Sequence, residues 1–363
     1  MAGSLARLLL GVLLTALACQ PAPAAGPAPA AGAGPTAPPA AEAASPAAER
    51  LRVVYVTRNG AMGPLWVAYE AGIFARHGID AELTYISSGT LGMQALLARE
   101  VDIGVIGASA VVAANLNGAD AIYIGAIQRT FGQWIYSHPD LRTPTDLIGK
   151  RVGITRRNST TDVALGFYLR RHGLTPDRDV HVVEVGDQAA MVPAMQTGAI
   201  QAAVLAEPAT FAARSEGFYE LADLTLLGVD YPQSALTTTR RFATEHRELV
   251  LRFMRAIYEG THRYKTDRPF ALQVLSKYLQ TDDPEVLAGV YATYAERLVQ
   301  DVPRATYEGT RTVLAEVAAT NEQALSADPA RFLDLSFIEA LDREGLEQRL
   351  YGRSAAAPPA VAR

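Results

Sequence analysis

The sequence holds one cysteine, two tryptophans and six histidines among 363 residues, and each scarcity excludes a class of protein. A single thiol, Cys19, cannot close an internal disulfide. The histidines stand singly, so with no second cysteine there is no zinc or thiol-redox pattern. Basic residues are not in excess: 33 Lys and Arg against 38 Asp and Glu leave a net charge of −5. The electrostatic footprint of a nucleic-acid binder is therefore missing. Also missing are G-x-S-x-G, H-E-x-x-H, a P-loop and G-x-G-x-x-G, so no nucleophile elbow, zinc-protease helix or nucleotide cradle is written into the chain. The apolar run at residues 8–14 is too short to span a bilayer, which takes about 20 residues.

What is present divides unevenly. Arg7, the apolar run and Ala16-Leu17-Ala18-Cys19 have the layout of an export signal. The segment resembles a bacterial lipoprotein signal, which implies cleavage that leaves Cys19 as a lipidated N-terminus; Ala16 stands where that pattern most often has Leu. Residues 20–50 carry eight prolines among alanines and no aromatic residue. Such a stretch cannot bury a core and reads as a disordered tether. Residues 351–363 read as a shorter disordered tail.

The remaining about 300 residues exceed the size at which one hydrophobic core keeps growing, so two lobes are expected. Strand-like runs at 53–56, 81–86, 103–106 and 121–127 alternate with helical periodicity. A second cycle follows, with strands at 151–154, 180–185 and 202–205. This alternation predicts α/β lobes, each a mainly parallel sheet flanked by helices. Residues 95–104 and 194–203 echo one another, each ending a helix and starting a strand after a tight turn. A strand-like stretch at 234–239 and mostly helical segments complete the chain. Lobe one is assigned to 51–140 and 232–350, and lobe two, inserted, to 141–231. The hinge is expected at 137–140 and 228–234.

The run Gly63-Pro64-Leu65-Trp66-Val67-Ala68, followed by Glu70-Ala71-Gly72-Ile73-Phe74 and His77-Gly78-Ile79-Asp80, resembles the opening of the nitrate/sulfonate/taurine and thiamine-precursor-like solute-binding proteins. So do residues 96–104, the segment Asp146-Leu147-Ile148-Gly149-Lys150-Arg151-Val152-Gly153, and Glu207-Pro208. The resemblance covers nearly all of residues 51–280, with Gln201 in place of an Asp usual in the second echo. It implies a two-lobe periplasmic-binding-protein-like fold of type II with ligand in the inter-lobe cleft. It also implies a monomer outside the cytoplasm that feeds an ABC permease and ATPase complex. No cofactor or metal is expected. One relative of this fold makes a thiamine pyrimidine, so an enzyme is the rival reading, and a ligand-presenting sensor module is a third.

Ligands of open parallel sheets bind outside the carboxyl ends of the strands. The loops there supply the candidates: Arg58 and Asn59, Ser88 and Thr90, Ser109, Arg129, then Asn158, Ser159 and Thr160 before a helix, and Glu207. Several of these loops open helices whose first amides hold anions. The arginines favour a sulfonate or carboxylate. Trp66, in the first turn of the first helix beside the cleft loop, suits a core or interface role, or else stacking on a heteroaromatic vitamin or precursor such as a thiamine pyrimidine or riboflavin.

Overall fold

The computed structural model describes residues 48–352 except residue 320. The signal, Cys19, most of the tether and nearly all of the tail lie outside the described residues. At Glu49, two residues before the expected start of the folded part, strand β1 (Glu49–Tyr55) is already paired with β2 (Ile79–Tyr85) in parallel.

Two five-stranded sheets share one plan. The first runs β2-β1-β3-β10-β4, with β3 at Ile103–Ile106, β4 at Ala121–Ala126 and β10 at Ala235–Thr239. The second runs β7-β6-β8-β5-β9, with β5 at Trp134–Ser137, β6 at Arg151–Ile154, β7 at His181–Glu184, β8 at Ala202–Leu205 and β9 at Tyr219–Asp223. In each sheet the fourth strand is antiparallel to its neighbours. Strands β3, β4 and β8 are buried at every residue, as strands covered by helices on both faces should be.

The first crossing between sheets occupies residues 127–133, upstream of the expected 137–140. Trp134–Ser137 pairs with both β8 and β9 and so belongs to the second sheet. All four of its residues are buried, so no alternation of polar and apolar side chains marked it as a strand. The second crossing lies between Asp223 and Ala235 and includes the expected 228–234.

The two crossing segments brace one another. Tyr231 N donates to Arg129 O (2.9 Å) and Gln233 N to Gln128 O (3.0 Å). The Arg129 guanidinium pairs with the Asp230 carboxylate, which also accepts from Thr306 Oγ1 at 2.6 Å. Phe131 stacks on Tyr231 with ring centres 4.5 Å apart, within an apolar cluster that joins residues of both sheets.

The helices that matter below are α1 (Gly63–Glu70), α2 (Gly89–Leu97), α3 (Ala108–Leu116), α4 (Thr160–Arg171), α5 (Ala209–Ser215), α6 (Arg247–Thr266), α7 (Pro284–Tyr291) and α8 (Tyr307–Val317). A π-helical segment, Ala292–Leu298, continues α7. Helix α1 lies so close on α6 that a Cβ at Gly260 would stand 2.4 Å from Pro64 O. Among the described residues no helix is long and apolar enough to cross a membrane.

Candidate functional site

Three helices aim their first turns at one narrow cleft between the sheets, a space of about 630 Å³ that opens to solvent. Helix α2 is capped by Ser88, whose Oγ accepts from Leu91 N at 3.3 Å. Gly107 leads into α3, and Ser159 into α4. The opening amides of a helix have no acceptor within it and carry its positive dipole end. The cleft lining includes Asn59, Gln133, Gln188 and Gln233, with Val56, Met62 and Val105 as apolar walls. No Asp, Glu, Lys or Arg is among the lining residues.

Beneath the α4 entrance three hydroxyls lock together. Thr155 Oγ1 lies 2.9 Å from both Ser159 Oγ and Thr161 Oγ1, and Thr161 Oγ1 accepts from Thr155 N at 2.9 Å. Ser159 Oγ donates to Arg156 O at 2.6 Å, which fixes the turn before the helix. Asn158 completes that turn with φ of +60°, a left-handed conformation that Asn tolerates better than most residues.

The lobes are closed. Thr90 Oγ1 donates to Arg157 O (2.8 Å), Ser109 Oγ to Asn158 O (3.1 Å), and Tyr85 OH to Asp187 Oδ2 (2.8 Å). Arg170 of α4 forms an ion pair with Glu316 of α8. Closure is tightest at Gly107, where an added Cβ would stand 2.3 Å from Thr160 Cγ2.

Five of the eleven expected ligand residues, Asn59, Ser88, Ser109, Ser159 and Thr160, line this cleft. Thr90 and Asn158 do not; one contributes a hydroxyl and the other a carbonyl to the inter-lobe bonds, and the Asn158 side chain is exposed. Trp66 is corrected from ligand contact to core: it is fully buried, stacked on Tyr278 at 4.6 Å and edge-on to Tyr55. Arg129 is corrected to a hinge brace held by Asp230.

Arg58 is exposed, lies over the Tyr85 ring at 4.3 Å, and faces a wider groove rather than the cleft. Glu207 also lines that groove, a space of about 1910 Å³ that shares Thr57, Tyr85, Gln188 and Ala206 with the cleft. Burial pushes the Glu207 carboxyl up to about 7, with a Thr293 hydrogen bond and the Arg297 charge opposing.

Three glutamines line the cleft without having been among the expected residues, as do Thr155, Thr161 and Ser234. Gln133 and Gln233 sit in the crossing segments, where attention to strand ends alone does not look. Gln188 is in the loop after β7, and its amide spans Val204 O (3.3 Å) and Ala206 N (3.1 Å).

Comparison with known proteins now has a geometry to meet. The model of the NMT1-like family matches residues 44–280. A relative in Brucella abortus (strain 2308), whose name assigns it no ligand beyond "binding protein", is 27% identical over 64% of this chain and 72% of its own. The alkanesulfonate-binding protein SsuA from Xanthomonas axonopodis pv. citri, solved bound to MOPS, superposes with a TM-score of 0.66. It is 21% identical, over 78% of this chain and 96% of that one. The periplasmic nitrate-binding protein NrtA from Synechocystis PCC 6803 gives 0.65 at 15% identity, over 82% and 89%. At these identities the two structures establish the periplasmic-binding-protein fold.

Proposed function

We propose, from the premise that this chain belongs to the NMT1-like family, that it is an extracytoplasmic solute-binding protein which captures a small organic oxyanion and delivers it to an ABC importer. One observation carries the choice of ligand: three helix N-termini converge on a cleft with no charged side chain in its lining. Amides and dipole ends hold an anion without a formal counter-charge. An acidic lining would oppose that, and there is none. The arginines named from sequence do not support the reading, because they lie outside the cleft; the amides take their place. The two structural neighbours are an alkanesulfonate-binding and a nitrate-binding protein, which agrees in ligand charge. The wider groove gives an organic substituent somewhere to go, which favours a sulfonate or carboxylate with a side group over a bare ion.

A heteroaromatic vitamin loses its main support with Trp66 in the core. For the enzyme reading the cleft lining supplies hydroxyls and amides but no histidine or carboxylate to act as base.

A thermal-shift series checks the ligand. Methanesulfonate, ethanesulfonate and longer alkanesulfonates should raise the melting temperature, with nitrate and bicarbonate weaker. At 100 times its dissociation constant a ligand adds about 2.7 kcal/mol of stability. A shift produced by pyrimidines or flavins alone would reject the oxyanion. In calorimetry, Asn59→Ala and Thr160→Ala should weaken a binding sulfonate roughly several-fold to tenfold, the worth of one hydrogen bond.

We also propose that Cys19 carries a lipid and that the protein works as a tethered monomer beside its permease. Cys19→Ser should release the protein from membranes with its melting temperature unchanged. A variant that stays membrane-bound and is processed like the wild type would remove the anchor from the proposal.

A further inference from the structure

Glu207 stands where the lobes meet beside the hinge. It ends the β8 side of the second lobe, and 7% of it is exposed. One carboxyl oxygen accepts from Thr293 Oγ1 at 3.1 Å, on the π-helical segment that packs in the first lobe's core. The other oxygen is buried with no hydrogen-bond partner. The same seam is sealed by Phe211 of α5, whose ring lies against Gly289 of α7 closely enough that a Cβ there would stand 2.4 Å from it. The next residue on the π-helical segment, Tyr294, reaches the hinge through its hydroxyl to Gly132 O at 3.3 Å.

The charged surroundings do not neutralise this carboxyl. Arg297 on the π-helical segment and Arg214 on α5 face it from longer range, with Asp223 at the end of β9 opposing them. The buried phenols of Tyr264 on α6 and Tyr294 complete the shell. Arg214 is turned to Tyr136 OH (3.2 Å) and Glu220 (3.7 Å). Among the described residues no cation makes an ion pair with Glu207.

We infer that closing the lobes takes up a proton on Glu207, so that an acidic compartment tightens capture and a rising pH eases release. The inference rests on the two-lobe capture reading but not on which ligand is captured. An ionised carboxylate with one donor and a dry second oxygen is costly, whereas the neutral acid is tolerated. Rotation about the hinge parts Glu207 from Thr293 and wets the second oxygen, which returns the group to ordinary carboxylate behaviour.

The sign follows from the raised value. An acid near 4.5 when wetted and about 7 when closed favours closure below about 4.5 and loses that advantage as pH rises through 7. Inside that window the closing equilibrium falls up to tenfold per pH unit; above it the dependence flattens.

Small-angle scattering of the ligand-free protein at pH 5.0 and 7.5 tests this directly. The wild type should gain open population at pH 7.5. Glu207→Gln, which keeps the shape and an acceptor for Thr293, should stay closed at both. Thr293→Val removes the donor that favours the ionised form and should move the wild-type transition to higher pH. Equal responses in wild type and Glu207→Gln, or none in either, overturn the proposal. Ethanesulfonate titrations alongside separate the two readings. Scattering that follows pH only in the wild type, with no sulfonate bound at any pH, keeps the proton switch and rejects the oxyanion. Sulfonate binding that ignores pH in both proteins does the reverse.

Discussion

Gly107→Ala should abolish most ligand capture. Gly107 has φ −63° and ψ 142°, a conformation any residue adopts, so the substitution adds no backbone strain. Most of its cost falls where the sheets approach across the cleft, with the new Cβ at 2.3 Å from Thr160 Cγ2, and a smaller part on the neighbouring backbone, with Gln233 O at 3.2 Å. Overpacking of that kind costs about 2–3 kcal/mol, or roughly 30- to 150-fold in affinity. Thr160→Ser removes the clashing methyl and keeps the hydroxyl. The double variant should therefore recover much of the lost binding, although Thr160→Ser alone gains nothing. Calorimetry with a sulfonate across all four proteins measures the coupling. If Gly107→Ala binds normally, the lobes close less far than described.

Trp66→Ala should do the opposite, lowering stability without touching affinity. The ring is fully buried among Tyr55, Tyr278 and the α1–α6 packing. Truncating such a residue costs about 3–5 kcal/mol, which is roughly 10 °C in melting temperature for a chain of this size. Ligand affinity of the folded fraction should match the wild type. Trp66→Phe should be far milder, because the indole N–H is buried with no acceptor and its removal strands no partner. A large loss of affinity in either variant, at full stability, would return Trp66 to the ligand site.

The contrast between these residues shows what a sequence conveys here. Strands such as Ile103–Ile106 and Ala202–Leu205 were legible because their β-branched and apolar runs sit between turn residues. Strand β5 was not, since all of its residues are buried and its partners lie about 70 and 85 residues on. Ser88, Ser109 and Ser159 could be placed beside the cleft because a strand-end loop opening a helix is a local pattern. Arg129 and Trp66 were misjudged for the converse reason. What occupies Arg129 is Asp230, 101 residues away, and what covers Trp66 includes Tyr278. Local composition carries no trace of either partner. The glutamines of the crossing segments come to line the cleft only because the two segments, about 100 residues apart, lie side by side.

The strand order sets when this chain becomes a protein at all. Strand β10 lies between β3 and β4, yet it is made after every strand of the second sheet. Until residues 235–239 have emerged, β4 has no neighbour in its own sheet, and an aggregation-prone edge stays exposed. The first sheet therefore cannot finish ahead of the second, and long-range pairing of this sort folds slowly. Residues 48–126 therefore hold three paired strands and one, β4, that waits for a partner made more than a hundred residues later.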